Sequence, residues 1–158
     1  MRLIKYGTRL NKDRLPYLVR EMSQNYAGKN MGNSLLAYNI LKDIEEAGSL
    51  AQEKFWMFCL DNKMHIIGYF TMFAGAKFLC PVDKGLLFTN ALAAGAANII
   101  LAHNHPSGDL TPSDKDIALT KDVCQGADLL GMCLQDHLIV TDGAYTSIRE
   151  KCPEIFSK

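Results

Sequence analysis

The chain has 158 residues, 48% of them hydrophobic, which suits one domain with its own core and leaves little room for two. Lys plus Arg and Asp plus Glu both number 17, so the net charge is zero and the basic excess of a dedicated duplex binder is missing. No stretch reaches the roughly 18 apolar residues of a membrane span, and Met1–Arg9 lacks the apolar run of a secretory signal. A cytoplasmic, reducing setting without a membrane partner is the expectation.

In chain order, Met1–Gly32 is polar and weakly patterned, and no element is assigned to it. Arg2, Lys5, Arg9, Lys12, Arg14 and Arg20 make it basic, which reads as a solvated face, with a local basic patch as the other reading. Asn33–Ala47 reads as an amphipathic helix: Ser34 is the N-cap, Leu36, Ile40 and Ile44 repeat every four residues, and Gly48 is the stop. Phe55–Leu60 and His65–Phe73, rich in aromatic and β-branched residues, read as a hairpin turning at Asp61-Asn62-Lys63. Asp83 caps a second helix over Lys84–Ala97, and Asn98–Ala102 is a buried strand. A loop, His103–Pro112, leads to a third helix over Asp114–Leu130 that stops at Gly131. Leu134–Thr141 is the last clear strand, with Gly143 turning the chain after it. Alternating strands and helices give an α/β class with a mixed sheet between helices. The loop leaves a strand end and enters a helix N-terminus, where such sheets bind ligands. The cysteines, Cys59, Cys80, Cys124, Cys133 and Cys152, are odd in number, without C-x-x-C spacing, and read as small apolar residues.

The chemistry concentrates in that loop. Residues i and i+2 of an extended backbone point the same way, so His103 and His105 can converge on one point, about 2.0–2.1 Å from each ring nitrogen as zinc requires. Pro106 turns the chain. The residues from Pro106 to Pro112 suffice to bring a helix N-terminus back beside the histidines, and Asp116, one turn into that helix, supplies a third ligand. Three protein ligands and one open position form the catalytic rather than the structural zinc pattern. Taken singly, His-x-His is a common surface feature and Ser113-x-x-Asp116 is a helix-capping box. Their combination at this spacing is rarely assembled by chance. Asn104, facing away from its neighbours, fixes the loop. Gly108 permits a tight turn, and Asp109 is a turn residue rather than a fourth ligand. Asp136 and His137, adjacent on a strand, face opposite ways and cannot form a relay with a serine. His137 and His65 read as core or metal-supporting histidines.

The pattern His103-x-His105-Pro106…Ser113-x-x-Asp116 resembles the JAMM motif of the JAB/MPN+ metalloproteases. His-Asn-His-Pro-Ser-Gly-Asp at 103–109 is most similar to the RadC-like branch, as are Leu119-Thr120, Gly131, Asp136-His137-Leu138-Ile139-Val140 and Tyr145-x-Ser147. The resemblance covers roughly Ser34–Glu150. It implies a single JAB/MPN-like domain, cytidine-deaminase-like in layout, over 33–150, after a short N-terminal segment (1–32) and before a C-terminal tail (151–158). It further implies one Zn²⁺ per chain on His103, His105 and Asp116. Glu53 matches the family's general base and Ser113 its oxyanion donor, with Glu45 and Glu46 less well placed than Glu53. A peptide or protein substrate, cut at a peptide or isopeptide bond, is the implied partner. The RadC association also implies the alternative, a DNA-repair or replication factor with a structural zinc, in which nucleic acid is the partner. Longer RadC-like proteins carry a helix–hairpin–helix module for which Met1–Gly32 is too short. Departures are Phe73-Ala74-Gly75 where a Ser-x-Gly segment is usual, and Lys84 where an arginine is common. A nucleoside deaminase needs His-x-Glu and Pro-Cys-x-x-Cys, and a helical zincin needs His-Glu-x-x-His; neither is present. Oligomeric state is not expressed in these motifs.

Overall fold

The computed structural model describes residues 1–28, 34–75 and 82–157. In chain order the elements are β1 (Arg2–Leu10), β2 (Pro16–Asn25), α1 (Ser34–Glu45), β3 (Glu53–Leu60), β4 (Ile66–Gly75), α2 (Lys84–Ala93), β5 (Asn98–Asn104), α3 (Asp114–Leu129), β6 (Cys133–Val140), β7 (Tyr145–Ser147) and α4 (Ile148–Lys151). The strands form one mixed sheet of seven, in the order β2-β1-β4-β3-β5-β6-β7. β3 and β4 are the expected antiparallel hairpin, and β5–α3–β6 is the expected parallel crossover.

Alternation along the strands assigns a face to each helix. Trp56, Phe58 and Leu60 of β3 pack with Ile100 and Ala102 of β5 under Ala37, Tyr38, Ile40 and Leu41 of α1. The intervening Phe55, Met57, Cys59, Ile99 and Leu101 face α2 and α3, through Leu87, Ala91, Val123 and Ala127. Helices therefore cover both faces, as the resemblance implies. Continued past Ala102, the alternation puts His103 and His105 on the α3 face and Asn104 on the α1 face.

The N-terminal segment differs from its sequence reading. Arg2–Leu10 and Pro16–Asn25 form an antiparallel pair, and β1 joins the sheet parallel to β4. Only Leu3 of β1 is fully buried, so no apolar alternation marks the strand. One of its basic residues has a structural use: Lys5 Nζ lies 2.7 Å from Glu45 Oε1.

Helix ends also moved. α1 ends at Glu45 because Glu46 adopts the left-handed conformation, φ 51°, before Gly48 is reached. Gly48 instead packs against backbone: a Cβ there would lie 2.5 Å from Asp142 Cα. Ser34 is the first residue of α1 rather than its cap, and its hydroxyl donates to Asp136; Asn33 lies outside the described residues. α2 is capped by Asp83 as expected but stops at Ala93, because Gly95 takes φ 69° and Ala96 N–H returns to Ala91 O. Gly131, φ 71°, ends α3 in the same way, with Met132 N–H bonded to Ala127 O. Among the described residues no helix is long and apolar enough to cross a membrane. Cys59, Cys124, Cys133 and Cys152 are free thiols, while Cys80 lies outside the described residues.

Candidate metal centre

Three side chains from two elements meet where β5 ends. His105 N–H bonds to Val140 O, so the extended geometry of β5 carries on to His105 before Pro106 breaks it. His103 Nε2 and His105 Nε2 lie 2.9 Å apart. Asp116 Oδ1 is 3.2 Å from the first, and Asp116 Oδ2 is 3.6 Å from the second. Ligand atoms held tetrahedrally at zinc distances stand about 3.3 Å from one another, so these separations fit a shared ion. The three residues form a group that could hold a metal ion.

Each nitrogen of the pair has a separate task. His105 Nδ1 donates to the Asp109 carbonyl at 2.7 Å, which turns Nε2 toward His103 and Asp116. That carbonyl is delivered by the turn through Gly108, φ 78°, and Asp109 Oδ1 closes the turn by accepting from Thr111 N–H at 2.8 Å. Asp109 thus acts as a turn residue. His103 is 1% exposed and stacks against Phe55, with ring centroids 5.8 Å apart and planes at 9°.

Asp116 is positioned by the start of α3. Ser113 N–H and Oγ donate to Asp116 Oδ2 at 2.8 and 2.6 Å, and Asp116 N–H returns to Ser113 Oγ at 3.2 Å, a complete capping box. Burial pushes the Asp116 carboxyl up, but hydrogen bonds from His103 and His105, the His103 charge and the Ser113 hydroxyl hold it far below the usual carboxylate range. His105 is raised chiefly by its bond to Asp116; burial opposes the rise, while the Asp109 carbonyl and the charges of Asp116 and Glu53 assist it. The Ser113 hydroxyl proton is committed to Asp116, so donation to a substrate oxygen requires that bond to be exchanged.

Glu53 opens β3. The β3–β5 register pairs Phe55 with His103, which sets Glu53 two residues earlier on the same face, level with His105. Glu45, the other acid weighed, accepts from Lys5 and Tyr69 and pairs with Lys54, so its carboxylate is engaged elsewhere. His65 is not brought to the site: it sits at the far end of the hairpin, 3.0 Å from Asp61 Oδ2. Asp136 turns to the other face and accepts from Ser34, Ser147 and the His137 and Arg149 N–H groups. Lys84 pairs with Asp122 of α3 at 2.5 Å.

The profile of the RadC-like JAB domain matches residues 32–153. The chain belongs to this family. It is similar to UPF0758 proteins of Shouchella clausii (40% identical over 107 residues, 68% of this chain and 46% of that protein) and of Thermotoga maritima (37% over 112, 71% and 50%). Another, from Roseiflexus castenholzii, is 37% identical over 106 residues, 67% of this chain and 46% of that protein. The chain spans about half the length of these curated relatives.

Three contributors in this RadC-like JAB domain escaped sequence reasoning. Phe55 walls the site, stacked on His103 and edge-on to His137 at 5.4 Å. Asn104, expected to fix the loop, instead reaches β3: its Oδ1 accepts Lys54 N–H at 2.7 Å and its Nδ2 donates to Gln52 O at 3.0 Å, clasping the backbone on either side of Glu53. Thr120 accompanies His137 behind His103. The signals for Thr120 were its place in the Leu119-Thr120 pair that resembles the RadC-like branch and its spacing, a single helical turn after Asp116 on the same face of α3.

Proposed function

We propose that this RadC-like JAB domain is a zinc-dependent hydrolase of the JAMM type that cleaves peptide or isopeptide bonds. The observation that carries the reading is the convergence of His103 Nε2, His105 Nε2 and Asp116 on one point, with Glu53 beside His105 on the same face. Two imidazoles and one carboxylate are a donor set suited to zinc, and three protein ligands leave a coordination position open. A zinc ion held there supplies the Lewis acidity that makes water nucleophilic near neutral pH.

The chain's own residues do the remaining work. Glu53 accepts the proton of the attacking water and delivers it to the leaving nitrogen. The Ser113 hydroxyl, released from Asp116, donates to the oxyanion of the tetrahedral intermediate, a role worth roughly 2.7–4 kcal/mol in comparable sites. Phe55 keeps the inner side of His103 dry, which strengthens every charge interaction around it. The test is turnover of a panel of peptide and isopeptide substrates by zinc-loaded protein, with Glu53→Gln as the blank. Cleavage by wild type alone supports the reading. No cleavage of any substrate, or a protein that takes up no stoichiometric zinc, removes it. Filter binding to DNA across a salt titration separates the repair-factor alternative, which demands a steep slope.

A further inference from the structure

We propose that His137 and Thr120 are positioning residues that set which nitrogen of His103 carries its proton, keeping Nε2 bare toward the point shared with His105 and Asp116. The proposal rests on the metal-centre reading and extends it to the groups behind the ligands.

The assignment follows from groups that can each play one role. The Asp116 main-chain carbonyl can only accept, and Thr120 Oγ1 lies 2.6 Å from it, so the single hydroxyl proton points there. The same oxygen is 2.7 Å from His137 Nδ1 and must therefore accept from it. A neutral imidazole has one N–H, so with Nδ1 donating, His137 Nε2 is an acceptor. That Nε2 stands 2.9 Å from His103 Nδ1, which must donate. When Nε2 serves as a ligand, the one proton that His103 keeps is thereby held on Nδ1, the side away from Asp116, and the Nε2 lone pair is directed to the point shared with His105 and Asp116.

The chain of bonds starts on the Asp116 carbonyl and ends facing the Asp116 carboxylate, a loop that ties β5, β6 and α3 together. His137 is fully buried, His103 is 1% exposed and Phe55 packs against both imidazoles, so both rings are shielded from the bulk solvent that could reverse the direction. Reversal would put a proton on His137 Nε2, force one onto His103 Nε2, and aim it at the metal position. His105 needs no such device, because the Asp109 carbonyl orients it directly. Metal-bound histidines generally donate to a carboxylate, a carbonyl or water. Here a neutral imidazole takes that place, and its own polarity is set by one threonine hydroxyl.

The test uses the full chain. In zinc-loaded protein, long-range ¹H–¹⁵N spectra of the imidazoles should show His137 protonated at Nδ1 and bare at Nε2. Zinc affinity, read by competition with a chromogenic chelator, should fall about 10–100-fold in Thr120→Val. Thr120→Ser, which keeps the hydroxyl and discards only the methyl, should restore it. His137 found protonated at Nε2, or Thr120→Val binding zinc as tightly as wild type, overturns the proposal while leaving the metal centre standing. A wild-type protein that binds no zinc removes both. The spectra need no variant, so they decide the matter even where a substitution fails to fold.

Discussion

Asn104→Ala tests whether the residue between the two histidines works on the base rather than on the metal. Asn104 is 1% exposed, and its amide holds Lys54 N–H at 2.7 Å and Gln52 O at 3.0 Å. Truncation leaves the Lys54 N–H without its acceptor, at a cost of about 1–3 kcal/mol. The Gln52 end is exposed, so water replaces the lost donor there. Amide exchange at Lys54 should then accelerate roughly 5- to 150-fold, since every 1.4 kcal/mol is about a factor of ten. Zinc stoichiometry should not change, because the imidazoles lie on the opposite face of the sheet. Turnover should fall about 100-fold, the expected effect of a base displaced by about 1 Å. Asn104→Asp keeps the acceptor for Lys54 N–H and loses only the donor, so exchange at Lys54 should stay close to wild type. Lys54 exchange that does not respond to Asn104→Ala, or zinc lost together with turnover, refutes the reasoning.

Other expectations follow from the same geometry. Glu53→Gln should keep full zinc occupancy while abolishing turnover; loss of zinc would make Glu53 a ligand instead of a base. In chelator-treated protein, Asp116→Ala should lower the titration midpoint of His105, because the bond to Asp116 is the main influence raising it and burial opposes the rise; an unchanged NMR titration would separate the two groups. Glu45→Gln should cost about 1.5–3 kcal/mol at neutral pH by weakening charged hydrogen bonds. Burial pushes the Glu45 carboxyl up, but Lys5, Tyr69 and Lys54 bring the balance below the usual 4.5. A depressed folded-state value stabilises above the unfolded pKa and is lost as pH falls through the folded one. Urea-unfolding stabilities of wild type and variant should therefore converge in acid and separate toward neutrality.

The convergence of His103, His105 and Asp116 was legible because these residues obey local periods. His103 and His105 share a face through the two-residue repeat of a strand, and Ser113 and Asp116 sit at the spacing of a helix start; both rules act within a few residues. The β3–β4 hairpin and the β5–α3–β6 crossover were legible for the same reason. The N-terminal strands were not, since β1 has one fully buried side chain and gains its place by pairing with β4, a contact across more than sixty residues. Nor was the end of α1, where Glu46 accepts a left-handed backbone that sequence rules reserve for glycine or asparagine.

The supporting groups were hidden for a further reason. Thr120 is anchored on the Asp116 carbonyl and Asn104 on Lys54 N–H and Gln52 O, and such main-chain partners leave no trace in the pattern of side chains. Asn104 shows the consequence. Its position between two candidate ligands draws attention to the loop, yet strand alternation turns it to the opposite face, where it meets the backbone around Glu53. One strand end thus serves both halves of the site: odd-numbered side chains face the metal position, and the even-numbered one fixes the acid beside it. The β3–β5 register makes this work, because pairing Phe55 with His103 sets Glu53 level with His105 and its neighbouring backbone within reach of Asn104. A shift of one residue in that register would turn Glu53 to the α1 face and leave Asn104 without its partners. The register that builds the core is therefore also what sets Glu53 beside His103, His105 and Asp116.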